Sequence, residues 1–150
     1  MKVRVYLVGD IAKTDRWRPK IIKAVDCGVE WLSPVDTVSY SYKSLTEANR
    51  DNKTFLYCDY MKVERADVIF CYLRKSKSRH SGSSAEIGYA TKCKDGCNKV
   101  IILVNELPKE EAYLYEFIHR SADVWFDNLE DGISFLKQLV WEMNYSPVDY

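Results

Sequence analysis

A chain of 150 residues, 47% hydrophobic and 29% charged, is long enough to bury a core as one domain without disulfide or metal support. Its 22 basic and 22 acidic side chains cancel, so no global field draws it to a nucleic-acid polymer or an anionic membrane. The apolar run in MKVRVYLVGD is broken at Asp10, too soon for a signal peptide, and no later run can span a bilayer. The expectation is therefore a cytoplasmic chain. Its five cysteines, Cys27, Cys58, Cys71, Cys93 and Cys97, then read as reduced, small apolar residues. His80 and His119 are the only histidines, and neither joins the cysteines in a metal-ligand spacing, so no zinc site is expected.

Taken in chain order, Val3–Val8 is a strand ending in Gly9-Asp10. The following helix carries Pro19 in its first turn, with Trp17, Ile21, Ile22 and Val25 on one side, and Gly28 closes it. Val29–Leu32 is a second strand, and Ser33-Pro34-Val35-Asp36 turns the chain away into a loop over Thr37–Thr46. A long helix is predicted from Glu47 to Ala66, because Asn52, Phe55, Leu56, Asp59, Val63 and Ala66 share one face. Asp67–Leu73 is apolar throughout after its first residue, as a central parallel strand is. A polar loop, Arg74–Ser84, leads to a helix from Ser84 to Lys94 that Asp95-Gly96 ends. Lys99–Val104 is a buried strand, Glu110–His119 a helix, Asp123–Phe126 a short strand, and Asp131–Met143 an amphipathic final helix.

Strands alternating with helices imply right-handed crossovers around a parallel sheet. The expected fold is α/β, flavodoxin-like or Rossmann-like: a doubly wound five-stranded parallel sheet, order 2-1-3-4-5, with helices on both faces. In that order the first and third strands are neighbours, and the ligand crevice opens at their carboxyl ends. Gly9–Arg16, Arg74–Ser84 and the start of the helix that carries Glu86 would meet there.

Glu86 stands in Ser83-Ser84-Ala85-Glu86-Ile87-Gly88-Tyr89-Ala90 and has two readings. In one, Ser83 caps the helix and Glu86 reaches back to its N–H as a capping box. In the other, Glu86 lies on an inward stripe with Ala90, Cys93 and Cys97, a carboxylate with a tuned pKa facing the crevice. Asp59 raises the same question, since it sits between Phe55 and Val63 on an apolar face where an unpaired charge is costly. It is either a structural buried acid or a working one. Tyr6, on the first strand, points at a carboxylate or packs as a core aromatic.

VYLVG near the N-terminus, Asp59 eight residues before the Asp67 of ADVIF, and GSSAEIGYA together resemble the nucleoside 2-deoxyribosyltransferase superfamily. That superfamily includes nucleoside transferases and nucleotide 5′-monophosphate N-glycosidases. The resemblance covers roughly the first 105 residues, AEIGYA being its specific part, and Val124-Trp125-Phe126-Asp127 is compatible with the last strand. Carried over by position, Glu86 resembles the family's nucleophile, Asp59 its helper acid and Tyr6 the group that positions the glutamate. The resemblance implies a single domain over 1–150, a homo-oligomer, and no metal or organic cofactor.

Transferases of this type usually carry an Asp six residues before the nucleophile, where this chain has His80. The surrounding His80, Ser81, Gly82 and Ser83 resemble the loop that holds a 5′-phosphate in the nucleotide hydrolases, and a histidine suits a phosphate better than a carboxylate does. Gly9, Asp10, Arg16 and Trp17 after the first strand, and Asp36 after the second, complete the candidate substrate-binding residues. Trp17 reads more readily as core packing than as a base-stacking platform, Asp36 equally as turn chemistry, and Lys13, Arg16 and Arg18 as helix-surface charge or a second phosphate contact. The basic run Arg74–Arg79 is either a solvated loop or a lid that steers an anion. The expected activity is hydrolysis of the N-glycosidic bond of a nucleoside 5′-monophosphate. The alternatives are deoxyribosyl transfer between bases and a non-catalytic nucleotide-binding module. A receiver domain is disfavoured because Leu73-Arg74 stand where its phosphoacceptor Asp belongs. A redox flavodoxin lacks its phosphate loop after the first strand.

Overall fold

The computed structural model describes residues 2–10, 16–32, 59–75, 81–94, 97–112 and 115–145, with the side chains of 81, 82 and 112 excepted. Five strands, β1 (Val3–Gly9), β2 (Val29–Leu32), β3 (Val68–Leu73), β4 (Val100–Asn105) and β5 (Val124–Phe126), form one sheet in the order β2-β1-β3-β4-β5. Every pairing is parallel, with Tyr6 beside Ile69 and Gly9 beside Tyr72 in the β1–β3 register. The sheet order is the one expected from the alternation of elements.

β3 is buried along its whole length, which only a sheet covered on both faces allows. The strand period of two divides its side chains cleanly. Val68, Phe70 and Tyr72 join Val5, Leu7, Ile102 and Val104 on one face, against helices α1 (Trp17–Ala24) and α6 (Leu129–Tyr145). Ile69, Cys71 and Leu73 join Tyr6, Val8, Ile101 and Leu103 on the other. That second face is covered by α2 (59–65 as described), α3 (Ser81–Cys93) and α5 (Glu116–Ser121), through Val63, Ile87, Ala90 and Ile118. Of the long second helix predicted from Glu47, only this last part falls within the described residues, and there Asp59, Val63 and Ala66 are all buried as the stripe required.

Several boundaries differ from the sequence reading. α3 begins at Ser81, not Ser84, so Ser83 lies inside the first turn and is not the N-cap of a box with Glu86. The predicted helix Glu110–His119 is two pieces, α4 (Lys109–Ala112) and α5. α6 starts at Leu129 because Asn128 is its cap: the Asn128 Oδ1 accepts the Asp131 N–H at 2.9 Å. Cys97 lies past the end of α3 and is exposed, as is Cys27, so neither is a core residue; Cys71 is buried. No described helix is long and apolar enough to cross a membrane.

Gly132 lets α6 sit directly on the sheet. A Cβ there would lie 2.3 Å from Val104 Cγ2 and 3.3 Å from the Phe70 ring. Gly132→Ala therefore forces the helix off β3 and β4, and we expect it to lower unfolding free energy by about 1–3 kcal/mol in urea denaturation.

Candidate active site

Three acidic or phenolic groups converge on the α2/α3 face near the carboxyl ends of β1 and β3. Tyr6 is placed by strand alternation: β1 turns Val5 and Leu7 to one face and Tyr6 and Val8 to the other, and Tyr6 is fully buried. Asp59, 3% exposed, is held over it by the helical face that also buries Val63 and Ala66. Glu86, half-buried, lies one turn before the buried Ala90 on α3. The capping alternative for Glu86 fails on the helix start, and its carboxyl is turned instead to this cluster.

The electrostatics show how tightly the groups are packed. Burial pushes the Glu86 carboxyl up to about 8, the neighbouring Asp59 charge adds to it, and hydrogen bonding from Tyr6 and the charge of Arg18 pull against it. Asp59 is raised to about 6, again by burial first, with Lys62, Tyr6 and Arg18 opposing. Its buried Oδ1 has no hydrogen-bond partner among the described residues. Cys71, fully buried on β3, feels both Glu86 and Arg18: burial and the glutamate push its thiol up and the arginine draws it down. Between about pH 6 and 8 the two carboxyl groups therefore carry roughly one proton between them.

The rim at the end of β1 is built by charge. Asp10 is buried and takes a bidentate ion pair from Arg74, at 3.0 and 3.2 Å, which ties the end of β1 to the residue after β3. Its carboxylate is thus committed to Arg74. Arg16 is exposed at the N-cap of α1. Trp17, offered among the substrate contacts but read more readily as core packing, is a core residue. It is 4% exposed, Tyr72 stacks on it at 5.3 Å and the Arg18 guanidinium lies over it at 4.1 Å, so no ring face is left for a base. Gly9 is the reason the ring fits, since a Cβ there would lie 2.5 Å from the indole and 2.9 Å from the Tyr72 carbonyl.

Asp36, His80 and the basic residues 76–79 lie outside the described residues, as do the side chains of Ser81 and Gly82. Ser83 is buried in the first turn of α3. A cavity of about 260 Å³ between α3 and α5, lined by Ser84, Ile87, Gly88 and Phe117 among others, does not include Glu86 or Asp59. Among the described residues no three His, Cys, Asp or Glu side chains gather as a metal site.

No family profile matches the sequence, and no curated protein matches it significantly. Solved structures do. A CMP N-glycosidase of Clostridium botulinum, BcmB, is 18% identical, with a TM-score of 0.56 over 91% of this chain and 98% of that one. A 2-deoxyribosyltransferase of Bacillus psychrosaccharolyticus is 14% identical, with a TM-score of 0.58 over 90% of each chain. A 2-deoxyribosyltransferase of Leishmania mexicana is 20% identical, with a TM-score of 0.52 over 91% of this chain and 97% of that one. Their fold is the fold of this chain.

The structure brings Tyr6, Asp59 and Glu86, three of the residues singled out from the sequence, to one place. Sequence reasoning left Arg18 and Arg74 undistinguished from surface and loop charge. Arg18 is 4% exposed although its neighbour in sequence, Trp17, already occupies the inward face of α1. Helical periodicity puts two adjacent residues about 100° apart, and a side chain as long as arginine can still reach back over the strand end.

Proposed function

We propose that the chain, acting as one catalytic unit over 1–150, cleaves the N-glycosidic bond of a nucleoside 5′-monophosphate. The observation that carries this reading is the pair of carboxyl groups, buried Asp59 and half-buried Glu86, sharing Tyr6 at the crevice of a fold common to a CMP N-glycosidase and to deoxyribosyltransferases. Glu86 is the nucleophile: a carboxylate oxygen bonds to C1′ while the C1′–N bond breaks and its electrons go to the base. Asp59 supplies the proton that the departing base takes up. Water then attacks C1′, its proton returns to the pair, and sugar phosphate leaves with Glu86 regenerated. The one shared proton rests on Glu86, the higher of the two, and must pass to Asp59 before cleavage, because Glu86 has to be bare and Asp59 protonated at that moment. Tyr6 hydrogen-bonds to the charged forms of both groups and so favours the proton moving off Glu86 as positive charge builds at C1′.

The phosphate preference is supported by the first turn of α3, where the backbone N–H groups of a 13-residue helix begin at Ser81, and by His80 before it in sequence. Trp141 and Tyr145, 60% and 56% exposed on α6, favour a homo-oligomer. The test is chromatography of purified protein incubated with nucleosides and nucleoside 5′-monophosphates, ribo- and deoxyribo-, with and without an acceptor base. Free base and sugar 5-phosphate are expected from a monophosphate without acceptor. A new nucleoside formed only when an acceptor base is present would replace hydrolysis by deoxyribosyl transfer.

A further inference from the structure

Asp59 and Glu86 stand on different helices, so the separation of the carboxyl pair depends on how α2 and α3 lie against each other. Both helices rest on the same face of the sheet, through Val63 on one and Ile87 and Ala90 on the other. Apolar packing of this kind is non-directional, so it fixes a helix's height above the sheet more firmly than its distance from a neighbouring helix. Tyr89 bridges that distance. Its ring on α3 stacks on the Tyr60 ring of α2, with centroids 4.6 Å apart and planes at 29°. Its hydroxyl donates to Glu64 Oε2 at 3.3 Å. Tyr60 and Glu64, four residues apart, lie one above the other on α2, which gives Tyr89 two holds on the same helix. Glu64 is itself anchored, because Lys99 Nζ donates to its carbonyl at 3.1 Å and to the carbonyl of Ala66. Tyr60 follows Asp59 directly, and Tyr89 comes three residues, less than one turn, after Glu86. On each helix, then, one turn carries both a carboxyl group that meets Tyr6 and a ring that meets the other helix.

We propose that Tyr89 is a positioning residue for the carboxyl pair: stacked on Tyr60, it sets the distance between α2 and α3 and thereby the separation of Asp59 from Glu86. The proposal rests on reading those two carboxyl groups as the reacting ones. Nucleophile and proton donor must serve the two ends of one C1′–N bond together, and a displacement of about 1 Å costs up to about a hundredfold in rate. A stacked aromatic pair has a preferred centroid distance, which aliphatic packing lacks, so it suits this task without touching substrate. Among the described residues, Glu86 senses Tyr6 on β1, Arg18 on α1 and Asp59 on α2, and is itself sensed by Cys71 on β3. Asp59 alone of these moves with α2. A change in helix spacing therefore registers in the ionisation of Glu86 chiefly through its like-charged neighbour.

The test compares Tyr89→Ala, Tyr60→Ala and Tyr89→Phe with the unaltered protein, and takes Gly132→Ala, on the opposite face of the sheet, as a control for lost stability alone. Protein labelled with 13C at the glutamate carboxyl carbon is titrated without ligand, the Glu86 resonance being the one absent from Glu86→Gln. Each alanine variant is expected to lower the Glu86 midpoint by roughly half a pH unit, as when two like charges a few ångströms apart move about 1 Å further apart. Combining the two lowers it no further, since either change removes the same stack. Tyr89→Phe keeps the ring and loses only the hydroxyl, so it stays near the starting value, as does Gly132→Ala. With a nucleoside 5′-monophosphate, the alanine variants lose about tenfold or more in kcat while KM changes little. Should one alanine variant unfold, the other still removes the stack. A folded alanine variant with an unmoved midpoint, a phenylalanine variant that shifts as far as the alanine one, or a Gly132→Ala protein that shifts likewise overturns the proposal: Tyr89 is then only surface packing. The titration needs no turnover. A shifted midpoint in a protein that cleaves no nucleotide sinks the glycosidase reading and leaves the role of Tyr89 intact, and an unmoved midpoint in an active one does the reverse.

Discussion

On the proposed mechanism, Glu86→Gln is expected to lower turnover of a nucleoside 5′-monophosphate at least a hundredfold, about 2.7 kcal/mol of barrier or more, with substrate still bound. The amide matches the carboxylate in shape, so packing against Ala90 and the neighbourhood of Tyr6 persists. What disappears is the oxygen that can bond to C1′ and the negative charge that stabilises an oxocarbenium-like state. Both act on the transition state far more than on bound substrate, and the loss therefore falls on kcat and not on KM. Steady-state kinetics beside calorimetric titration with the same nucleotide separates the two. A variant that loses binding and turnover in proportion would make Glu86 a substrate ligand. One that retains full turnover removes it from the chemistry and leaves the chain as a nucleotide-binding module or a glycosidase of another design.

The parts of the molecule that follow a single repeating rule were readable from the sequence. β3 and β4 are unbroken apolar runs because both of their faces are covered, and that same fact makes them central in the sheet. Once their place is fixed, the sheet order and the crevice at the ends of β1 and β3 follow from right-handed crossovers. Asp59 stood out because a charge interrupts an otherwise apolar helical face, and Glu86 because it is a carboxylate on an inward stripe of small apolar residues at a helix start facing the crevice. Features that depend on two side chains meeting across the fold left no such mark. The Asp10–Arg74 pair joins residues 64 apart in sequence, and each alone looks like ordinary loop charge. Arg18 reads as surface charge until the Gly9 and Asp10 carbonyls are seen to receive it. The start of α3 was misplaced because Ser83 and Ser84 are both good caps by residue type, and only the path of the backbone shows that the helix had begun at Ser81. The division of Glu110–His119 into α4 and α5 was hidden because no glycine or proline stands in that run to mark a break.

The carboxyl proposed as the nucleophile should also make the folded state sensitive to pH. In the unfolded chain Glu86 titrates at its ordinary value, and folding raises it to about 8. Between those limits the folded state binds more protons than the unfolded one, so stability falls as pH rises. Asp59, raised to about 6, adds a loss of the same sign over a lower and narrower window. The stabilisation from both groups is complete below the unfolded carboxylate range near pH 4, and the Glu86 share has largely gone above pH 8. Glu86 is only half-buried, and water at the crevice mouth tempers the effect to something on the order of 2–4 kcal/mol. Replacing it with glutamine removes this dependence, because an amide stays neutral in both states. Urea denaturation at pH 5 and at pH 8.5 isolates the effect of Glu86 ionisation, since any packing cost of the substitution is common to both conditions and cancels. Relative to the unaltered protein, Glu86→Gln should gain that amount on going from the lower pH to the higher, becoming the more stable form as it becomes the inactive one. An equal difference at the two pH values would mean that Glu86 titrates in the folded protein as it does in water. A carboxyl so fully hydrated would be in no position to keep water from a sugar cation.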